Sequence, residues 1–197
     1  KSNIFAKTDL EMGGGLESDH TRVFLKIQDG CDSRCSYCVI PFARGRSRSL
    51  SVSFLVDKIN EIHALGRQEV VLAGIHIGDY AGEASQSKND VYSAHGLLDR
   101  KEFNLEKLVE TLLIKTKIPR IRLTSLEPIE LSDRLIDLFA DERLCRHFHM
   151  SIQSASSSTL KQMKRKYLAS DVEKSLTAIH ERVPGAFVGM DVIAGFP

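Results

Sequence analysis

Residues 22–38 read RVFLKIQDGCDSRCSYC, an apolar strand-like run that leads directly into three cysteines. The run 22–28 is predicted to form the first β-strand. Cys31, Cys35 and Cys38 then follow with C-x3-C-x2-C spacing. Such crowding of cysteines favours a metal or cluster site in a reducing compartment over disulfide bonds.

Strand-like runs alternate with helical patterns along the rest of the chain, which is typical of βα units with a parallel sheet. The later predicted strands are residues 69–73, 120–125, 147–153 and 186–194. We expect an α/β fold in which these strands form a partial (β/α)6-type barrel. Four helices are predicted to begin at polar caps, at Ser53, Asn104, Ser132 and Ser170, the last of them in a capping box with Glu173.

The remaining segments indicate the domain organisation. Residues 1–20 lack a sustained apolar period and are assigned to a linker or disordered lead-in. The polar stretch 79–103 is long for a connection and is assigned to an insertion or functional loop. Residues 21–197 are predicted to form one domain, since a chain of 197 residues that is 42% hydrophobic can form a sizeable core. Because the chain begins at Lys1 and ends directly after an apolar run, we interpret it as a fragment.

The charges are almost balanced, with 27 lysines and arginines against 26 aspartates and glutamates. The whole chain therefore has no global attraction to nucleic acid or to an anionic membrane, and any polyanion must contact a local patch. The sequence has neither a run of about 20 apolar residues nor a signal-peptide pattern. We expect a soluble, cytoplasmic protein with no membrane partner.

In parallel βα architectures the active site lies at the carboxyl ends of the strands. The segments that follow the five predicted strands are residues 29–38, 74–80, 125–128, 153–156 and 195–197. We expect these segments to converge on one mouth of the barrel.

Three closely spaced thiolates can bind three irons of a 4Fe-4S cluster and leave the fourth iron open to a small molecule with an amine and a carboxylate. Zinc is an alternative, but its fourth ligand would have to be His76, His147 or Cys145, which are distant in sequence. Chance clustering of buried cysteines is another, and Cys145 itself is interpreted as an inert buried residue. The spacing alone indicates an iron-sulfur or other metal site.

The same spacing, with Tyr37 directly before the last cysteine, resembles the signature of the radical S-adenosylmethionine (SAM) enzymes. The resemblance implies that Cys31, Cys35 and Cys38 bind a 4Fe-4S cluster and that the amine and carboxylate of SAM bind the open iron. One electron from the reduced cluster then cleaves SAM to a 5′-deoxyadenosyl radical, which abstracts hydrogen from the substrate. A reducing donor such as flavodoxin or ferredoxin is the implied protein partner.

A narrower resemblance, to the methylthiotransferases, covers almost the whole chain from Val23. It rests on the runs KIQDGC at 26–31, CVIPFARGRSR at 38–48, HMSIQS at 149–154, MKRKY at 163–167 and DVIAGFP at 191–197. Two loops, GIHIGDY at 74–80 and SLEP at 125–128, most resemble the branch that adds a methylthio group to N6-threonylcarbamoyladenosine beside the tRNA anticodon. The alternatives are methylthiolation of isopentenyladenosine or of a ribosomal-protein aspartate, and, from another class, a non-catalytic iron-sulfur electron-transfer protein.

The chain departs from the family pattern at Ser151, where a proline is usual, and at Ala155, where a glycine is usual. Family members also carry an N-terminal domain with a second 4Fe-4S cluster and a C-terminal RNA-binding β-barrel, and neither lies within these 197 residues. The resemblance therefore implies SAM binding by this chain, and methylthiolation only together with those domains.

Several side chains at the predicted mouth are assigned to SAM. Tyr37 packs beside the adenine or covers the cluster from water. Gln153 and Ser154 bind the ribose or the methionine head, or act only as turn formers. Glu127 binds the methionine amine or a ribose hydroxyl, with a solvated turn acid as the alternative.

Three further residues are assigned to ligand or substrate contacts. By family resemblance, Ile193 and Gly195 contact the adenine, with a plain strand terminator as the alternative for the glycine. His76, in a strand-end loop, is assigned to a ligand or substrate contact, with a structural hydrogen-bond donor as the alternative.

Two basic segments are candidates for the tRNA. Arg44, Arg46 and Arg48 follow the cysteines and are predicted to contact phosphates, with a merely solvated face as the alternative. Residues 161–166, KQMKRK, form the second segment, whose lysines could instead be helix C-terminal charges.

Overall fold

The structure is a computed structural model that describes residues 22–82 and 104–197. Its strands are β1 (Arg22–Lys26), β2 (Gln28–Asp29), β3 (Arg48–Ser49), β4 (Glu69–Ala73), β5 (Arg120–Leu123), β6 (His147–Gln153) and β7 (Phe187–Val192). Its helices are α1 (Ile40–Arg44), α2 (Val52–Ala64), α3 (Leu105–Lys115), α4 (Asp133–Asp137), α5 (Ser157–Gln162) and α6 (Ala169–Arg182). The predicted lead-in at 1–20 and most of the predicted loop at 79–103 lie outside the described residues and stay predictions.

Parallel strands carry the fold. β4 lies between β1 and β5 in one parallel sheet, and β6 pairs with β7 in a second. Isolated parallel bridges join Ile121 to Leu144 and Leu126 to Met150, so the strand order continues from β5 to β6. The α/β class with a parallel sheet, predicted from the alternation of strands and helices, is confirmed.

The helices and the central strand form the core. Leu55, Ile59 and Ile62 lie at helical spacing on α2, and all three are buried. In α3 the buried residues are Leu105, Leu108, Val109 and Leu112. β4 is buried from Glu69 to Leu72, as expected for a strand with a parallel neighbour on each side. No helix within the described ranges has the length and apolar content needed to cross a membrane.

Two of the four predicted helix caps, Asn104 and Ser132, are confirmed, and the other two are each displaced by two residues. α2 is capped by Ser51, whose Oγ accepts the N–H of Phe54 at 3.4 Å, and not by Ser53. At the start of α6 the N–H of Leu168 donates to Asp171 Oδ2 at 2.8 Å, so the Ser170–Glu173 capping box is wrong. In both cases several polar side chains lie near the helix start, and the register of the chain decides which of them reaches a free N–H.

Glu69 forms a buried ion-pair network at the start of β4. Its two carboxylate oxygens each accept a hydrogen bond of 2.8 Å, one from Arg120 Nε and one from Arg122 Nε. Burial alone would raise the pKa of Glu69, but the hydrogen bonds from Arg122 and Arg120 outweigh it and hold the pKa below its usual value. The ionised carboxylate therefore stabilises the fold above the unfolded pKa of about 4.3, and this contribution is lost as the pH falls through the lower folded pKa.

We expect Glu69→Gln to lower the free energy of unfolding by about 1.5–3 kcal/mol at pH 7, because hydrogen bonds to a charged group are lost. The difference from the wild type should shrink as the pH falls below about 4. Urea denaturation at several pH values measures it. Glu61→Gln, which removes an exposed carboxylate on α2, is the control and should change little. If the loss of unfolding free energy in Glu69→Gln is equally large at low pH, the ionised carboxylate is not what stabilises the fold at this position.

Candidate active site

A cavity lies at the carboxyl ends of β1, β4, β5 and β6. It is lined by Cys31, Ser33, Cys35, Tyr37, Cys38, Ile40, Ile75, His76, Ser125, Leu126, Glu127, Ser151, Gln153 and Arg165. Segments that follow four of the predicted strands therefore meet here, as expected for a parallel βα fold. The fifth segment, residues 195–197, does not line the cavity.

The cysteine loop is anchored at both ends. The N–H of Cys31 donates to Gly45 O at 3.1 Å, beside the end of α1. The N–H of Ser36 donates to Met163 O at 3.1 Å, and the Ser36 hydroxyl donates to Gln162 O at 2.9 Å, at the end of α5. Gly30 has φ of +74° and lies so close to the backbone of Arg46 that a Cβ at this position would be 2.0 Å from Arg46 O. These contacts hold the loop against the ends of α1 and α5.

The three cysteines fit a 4Fe-4S cluster. All three are free, partly exposed and directed into the same cavity. The N–H of Ser33 donates to Cys31 Sγ at 3.4 Å, a type of hydrogen bond that stabilises cluster thiolates. A single metal ion could instead use Cys31, His76 and Asp79, but this set omits the other two thiols in the cavity. The donor set therefore favours the cluster over zinc.

His76 belongs to a hydrogen-bonded network in the cavity wall. Its Nδ1 lies 3.1 Å from Asp79 Oδ2 and 3.7 Å from Cys31 Sγ, and its Nε2 bonds to Glu130. Burial lowers the pKa of His76, but the hydrogen bonds to Asp79, Cys31 and Glu130 outweigh it and raise the pKa well above the usual value. Gly78 permits this packing, since a Cβ there would clash with the Glu130 carboxylate.

Glu127 is buried, so its interpretation as a solvated turn acid is wrong. Its Oε1 lies 2.6 Å from Arg165 Nη2 and 3.4 Å from His76 Nε2. Burial raises the pKa of Glu127, and the positive charges of His76 and Arg165 only partly offset this effect. A carboxylate is therefore held between two cations at the cavity, where it could meet a positively charged ligand group.

Arg165 is the site residue that the sequence reasoning missed. It belongs to the basic segment 161–166, but its side chain is only 6% exposed. Its Nη1 lies 3.0 Å from Cys35 Sγ and 3.3 Å from Tyr37 Oη. Burial raises the pKa of Tyr37 to about 12, against the opposing effect of Arg165, so the phenol stays neutral at pH 7. In the sequence, the signal that points to Arg165 is its place in the run MKRKY, which resembles the methylthiotransferases.

Of the other residues predicted to bind SAM, Gln153 lines the cavity and Ser154, Ile193 and Gly195 do not. Gln153 lines the cavity at the end of β6 with φ of 62°, and its carbonyl accepts the N–H of Ile193 at 2.9 Å. Ser154 Oγ accepts the N–H of Ser156 at 3.1 Å, which is the turn-forming alternative. Gly195 has φ of +70° and no atom near its Cβ position. Ser154, Ile193 and Gly195 do not line the cavity, and their contacts with SAM stay predictions.

The three arginines after the cysteines have different environments. Arg48 is buried, donates to Asp29 Oδ2 at 2.9 Å and to Arg44 O at 2.9 Å, and thereby supports the ribbon formed by β2 and β3. The expectation that Arg48 contacts phosphate is wrong for this reason. Arg44 and Arg46 are half-exposed, with looser contacts to Asp29 and Asp32.

A parallel βα fold whose first strand leads to three free thiols in one cavity is typical of a domain that binds an iron-sulfur cluster. The Radical SAM superfamily profile matches residues 25–197, and the chain therefore belongs to this superfamily. Its members use a 4Fe-4S cluster together with SAM, which confirms both predicted cofactors at the level of the family.

Curated relatives are similar over most of the chain. Threonylcarbamoyladenosine tRNA methylthiotransferase MtaB of Bacillus subtilis is 35% identical over all of this chain and 41% of its own length. MtaB of Aquifex aeolicus is 34% identical over 92% of this chain and 40% of its own. The tRNA-2-methylthio-N(6)-dimethylallyladenosine synthase of Anoxybacillus flavithermus is 33% identical over 92% of this chain and 32% of its own length. The chain thus spans less than half the length of these relatives.

Solved structures bear out the fold. The structure of the radical SAM methyltransferase TsrM of Kitasatospora setae, with tryptophan and a SAM analogue bound, superposes with a TM-score of 0.64. The match covers 89% of this chain and 31% of the TsrM chain. At 17% identity this likeness concerns the fold alone. It agrees with the predicted partial barrel.

Proposed function

We propose that this chain is the radical SAM core of a tRNA methylthiotransferase that adds a methylthio group to N6-threonylcarbamoyladenosine next to the anticodon. The observation that carries the proposal is the cavity into which Cys31, Cys35 and Cys38 all open, and which Glu127 and Gln153 also line. Similarity to MtaB of Bacillus subtilis over the whole chain supports the choice of substrate.

The residues of the cavity have distinct roles in this proposal. Cys31, Cys35 and Cys38 would hold the cluster, which when bound would supply the electron for reductive cleavage of SAM. Glu127 offers its buried carboxylate to the methionine amine, and Gln153 offers its amide to a hydroxyl or carboxylate. The apolar side chains Ile40, Ile75 and Leu126, with Tyr37, limit the access of water to the reacting atoms. Ser154, Ile193 and Gly195 complete the SAM site from the rim.

The rest of the reaction requires other parts and partners. Arg44 and Arg46 contact tRNA phosphates beside the cysteine loop. A second 4Fe-4S cluster and an RNA-binding β-barrel belong to domains outside this chain, and a flavodoxin or ferredoxin supplies the electron. The reaction takes place in the cytoplasm, where tRNA is found. Similarity to the dimethylallyladenosine synthase of Anoxybacillus flavithermus makes isopentenyladenosine the second candidate substrate.

The test uses the intact protein with a reconstituted cluster, a reductant, SAM and tRNA that carries either modified adenosine. We expect a methylthio product by nucleoside mass spectrometry with N6-threonylcarbamoyladenosine and none with isopentenyladenosine. An Arg44→Ala/Arg46→Ala double variant should raise the KM for tRNA without changing 5′-deoxyadenosine formation in its absence. Product from isopentenyladenosine alone would assign the second candidate. SAM cleavage without product from either tRNA would refute both.

A further inference from the structure

The guanidinium of Arg165 makes a direct contact with one of the three site cysteines. Its Nη1 donates a hydrogen bond to Cys35 Sγ at 3.0 Å, and the side chain is almost entirely buried. A solvated lysine or arginine would contribute little at such a position, but a buried cation donates a strong, charge-assisted hydrogen bond. Arg165 therefore acts on the electronic environment of this sulfur.

The Arg165 side chain is held on several sides. Glu127 Oε1 lies 2.6 Å from Nη2, and Tyr167 Oη lies 3.1 Å from Nε. The guanidinium carbon also lies 4.9 Å from the centre of the Tyr167 ring. Tyr167 is itself fixed, because its hydroxyl donates to Ser151 O at 2.7 Å. These contacts keep the guanidinium against the cysteine sulfur.

We propose that Arg165 is a positioning residue that raises the reduction potential of the cluster through its hydrogen bond to Cys35 Sγ, with Glu127 limiting the size of this effect. The potential of an iron-sulfur cluster depends on hydrogen bonds to its sulfurs, on nearby charge and on burial. A cationic donor withdraws electron density from the thiolate and so favours the reduced cluster. A carboxylate next to that donor acts in the opposite direction. The inference rests on the proposed function only in that both require a cluster at these cysteines.

The experiment is a redox titration of the reconstituted cluster in the intact protein, followed by electron paramagnetic resonance without tRNA. The signal that changes when SAM is added identifies the cluster at Cys31, Cys35 and Cys38. We expect Arg165→Met to shift the midpoint to a more negative potential and Arg165→Lys to shift it less. Glu127→Gln should shift it in the positive direction, because a negative charge is removed.

Arg143→Met is the matched control. Arg143 also ion-pairs and donates to backbone carbonyls, but its contacts are with Asp141, Leu113 and Thr116 and none is with a cysteine. Its midpoint should equal that of the wild type. A purely structural role for Arg165 would affect iron content and stability but would not produce opposite shifts in the Arg165 and Glu127 variants.

An Arg165→Met protein that keeps its iron and has the wild-type midpoint would overturn the inference. If this variant loses iron, the midpoint potential is measured instead for Arg165→Gln, which keeps an N–H donor without the charge. The same negative shift is expected for it. Loss of iron in both variants would also overturn it in favour of a structural role. The predicted shifts without any methylthiolated tRNA would leave the inference intact and refute the proposed function. Methylthiolated tRNA with no shift in the midpoint potential would support the proposed function and refute the inference about Arg165.

Discussion

Cys35→Ala is expected to abolish the cleavage of SAM by this protein. Only Cys31, Cys35 and Cys38 present thiols to the cavity within residues 22–82 and 104–197, so the loss of one leaves an iron of the cluster without its protein ligand. Removal of a side chain that only hydrogen-bonds to a metal ligand typically lowers metal affinity or activity about 10–100-fold. Removal of the ligand itself should therefore lower the rate of 5′-deoxyadenosine formation more than about 100-fold. Iron and sulfide bound after anaerobic reconstitution, and the nucleoside released on reduction with SAM, measure both effects.

Cys145→Ala is the matched control for that substitution. Cys145 is buried, and its N–H donates to Ile121 O beside β5, away from the cavity. Its variant should bind as much iron as the wild type and form 5′-deoxyadenosine at the same rate. Undiminished cleavage in Cys35→Ala, or equal loss in the two variants, would rule out the cluster assignment.

The cysteines could be predicted from sequence because their site is local. Cys31, Cys35 and Cys38 lie in one loop, and their spacing is meaningful before any tertiary contact is known. The carboxyl-end rule then brought Glu127 and His76 to the same mouth, since it needs only the order of strands and helices.

The arginines could not be predicted because their roles depend on distant partners. Arg48 and Arg165 both belong to basic segments that suggest phosphate binding, yet both are buried against carboxylates. The partner of Arg48 is Asp29, and the partner of Arg165 is Glu127, 38 residues earlier in the chain. A charge run does not reveal which of its members turns inward, since only the fold brings the carboxylate within reach.

The junction between β5 and β6 links the stability of the fold to the site. In the part of the chain that the structure describes, isolated bridges connect the two strand regions, and one of them pairs Leu126, the residue before Glu127, with Met150. The N–H of Leu126 donates to His149 O at 2.9 Å. Because these bridges are isolated, we expect side-chain packing to help hold this part of the sheet together. A loosened junction would move Glu127 relative to the cysteines.

Phe148→Ala is therefore expected to destabilise the protein by about 3–5 kcal/mol, as measured by urea denaturation. Phe148 on β6 is 2% exposed, and its ring lies 4.4 Å from that of Phe139, centre to centre. Phe187→Ala makes the same change on the neighbouring strand β7, but Phe187 is 62% exposed, so its cost should stay within about 0.5 kcal/mol.

The two phenylalanine variants also separate packing from chemistry. If side-chain packing holds the β5–β6 junction, Phe148→Ala should lower the affinity for SAM along with the stability, because Glu127 follows the bridge at Leu126. Phe187→Ala should bind SAM as the wild type does, since Phe187 stacks on His147 and neither residue lines the cavity. Equal destabilisation of the two variants would contradict the burial of Phe148 on β6. A destabilised Phe148→Ala protein with unchanged SAM affinity would show that Glu127 is positioned by its own ion pair with Arg165.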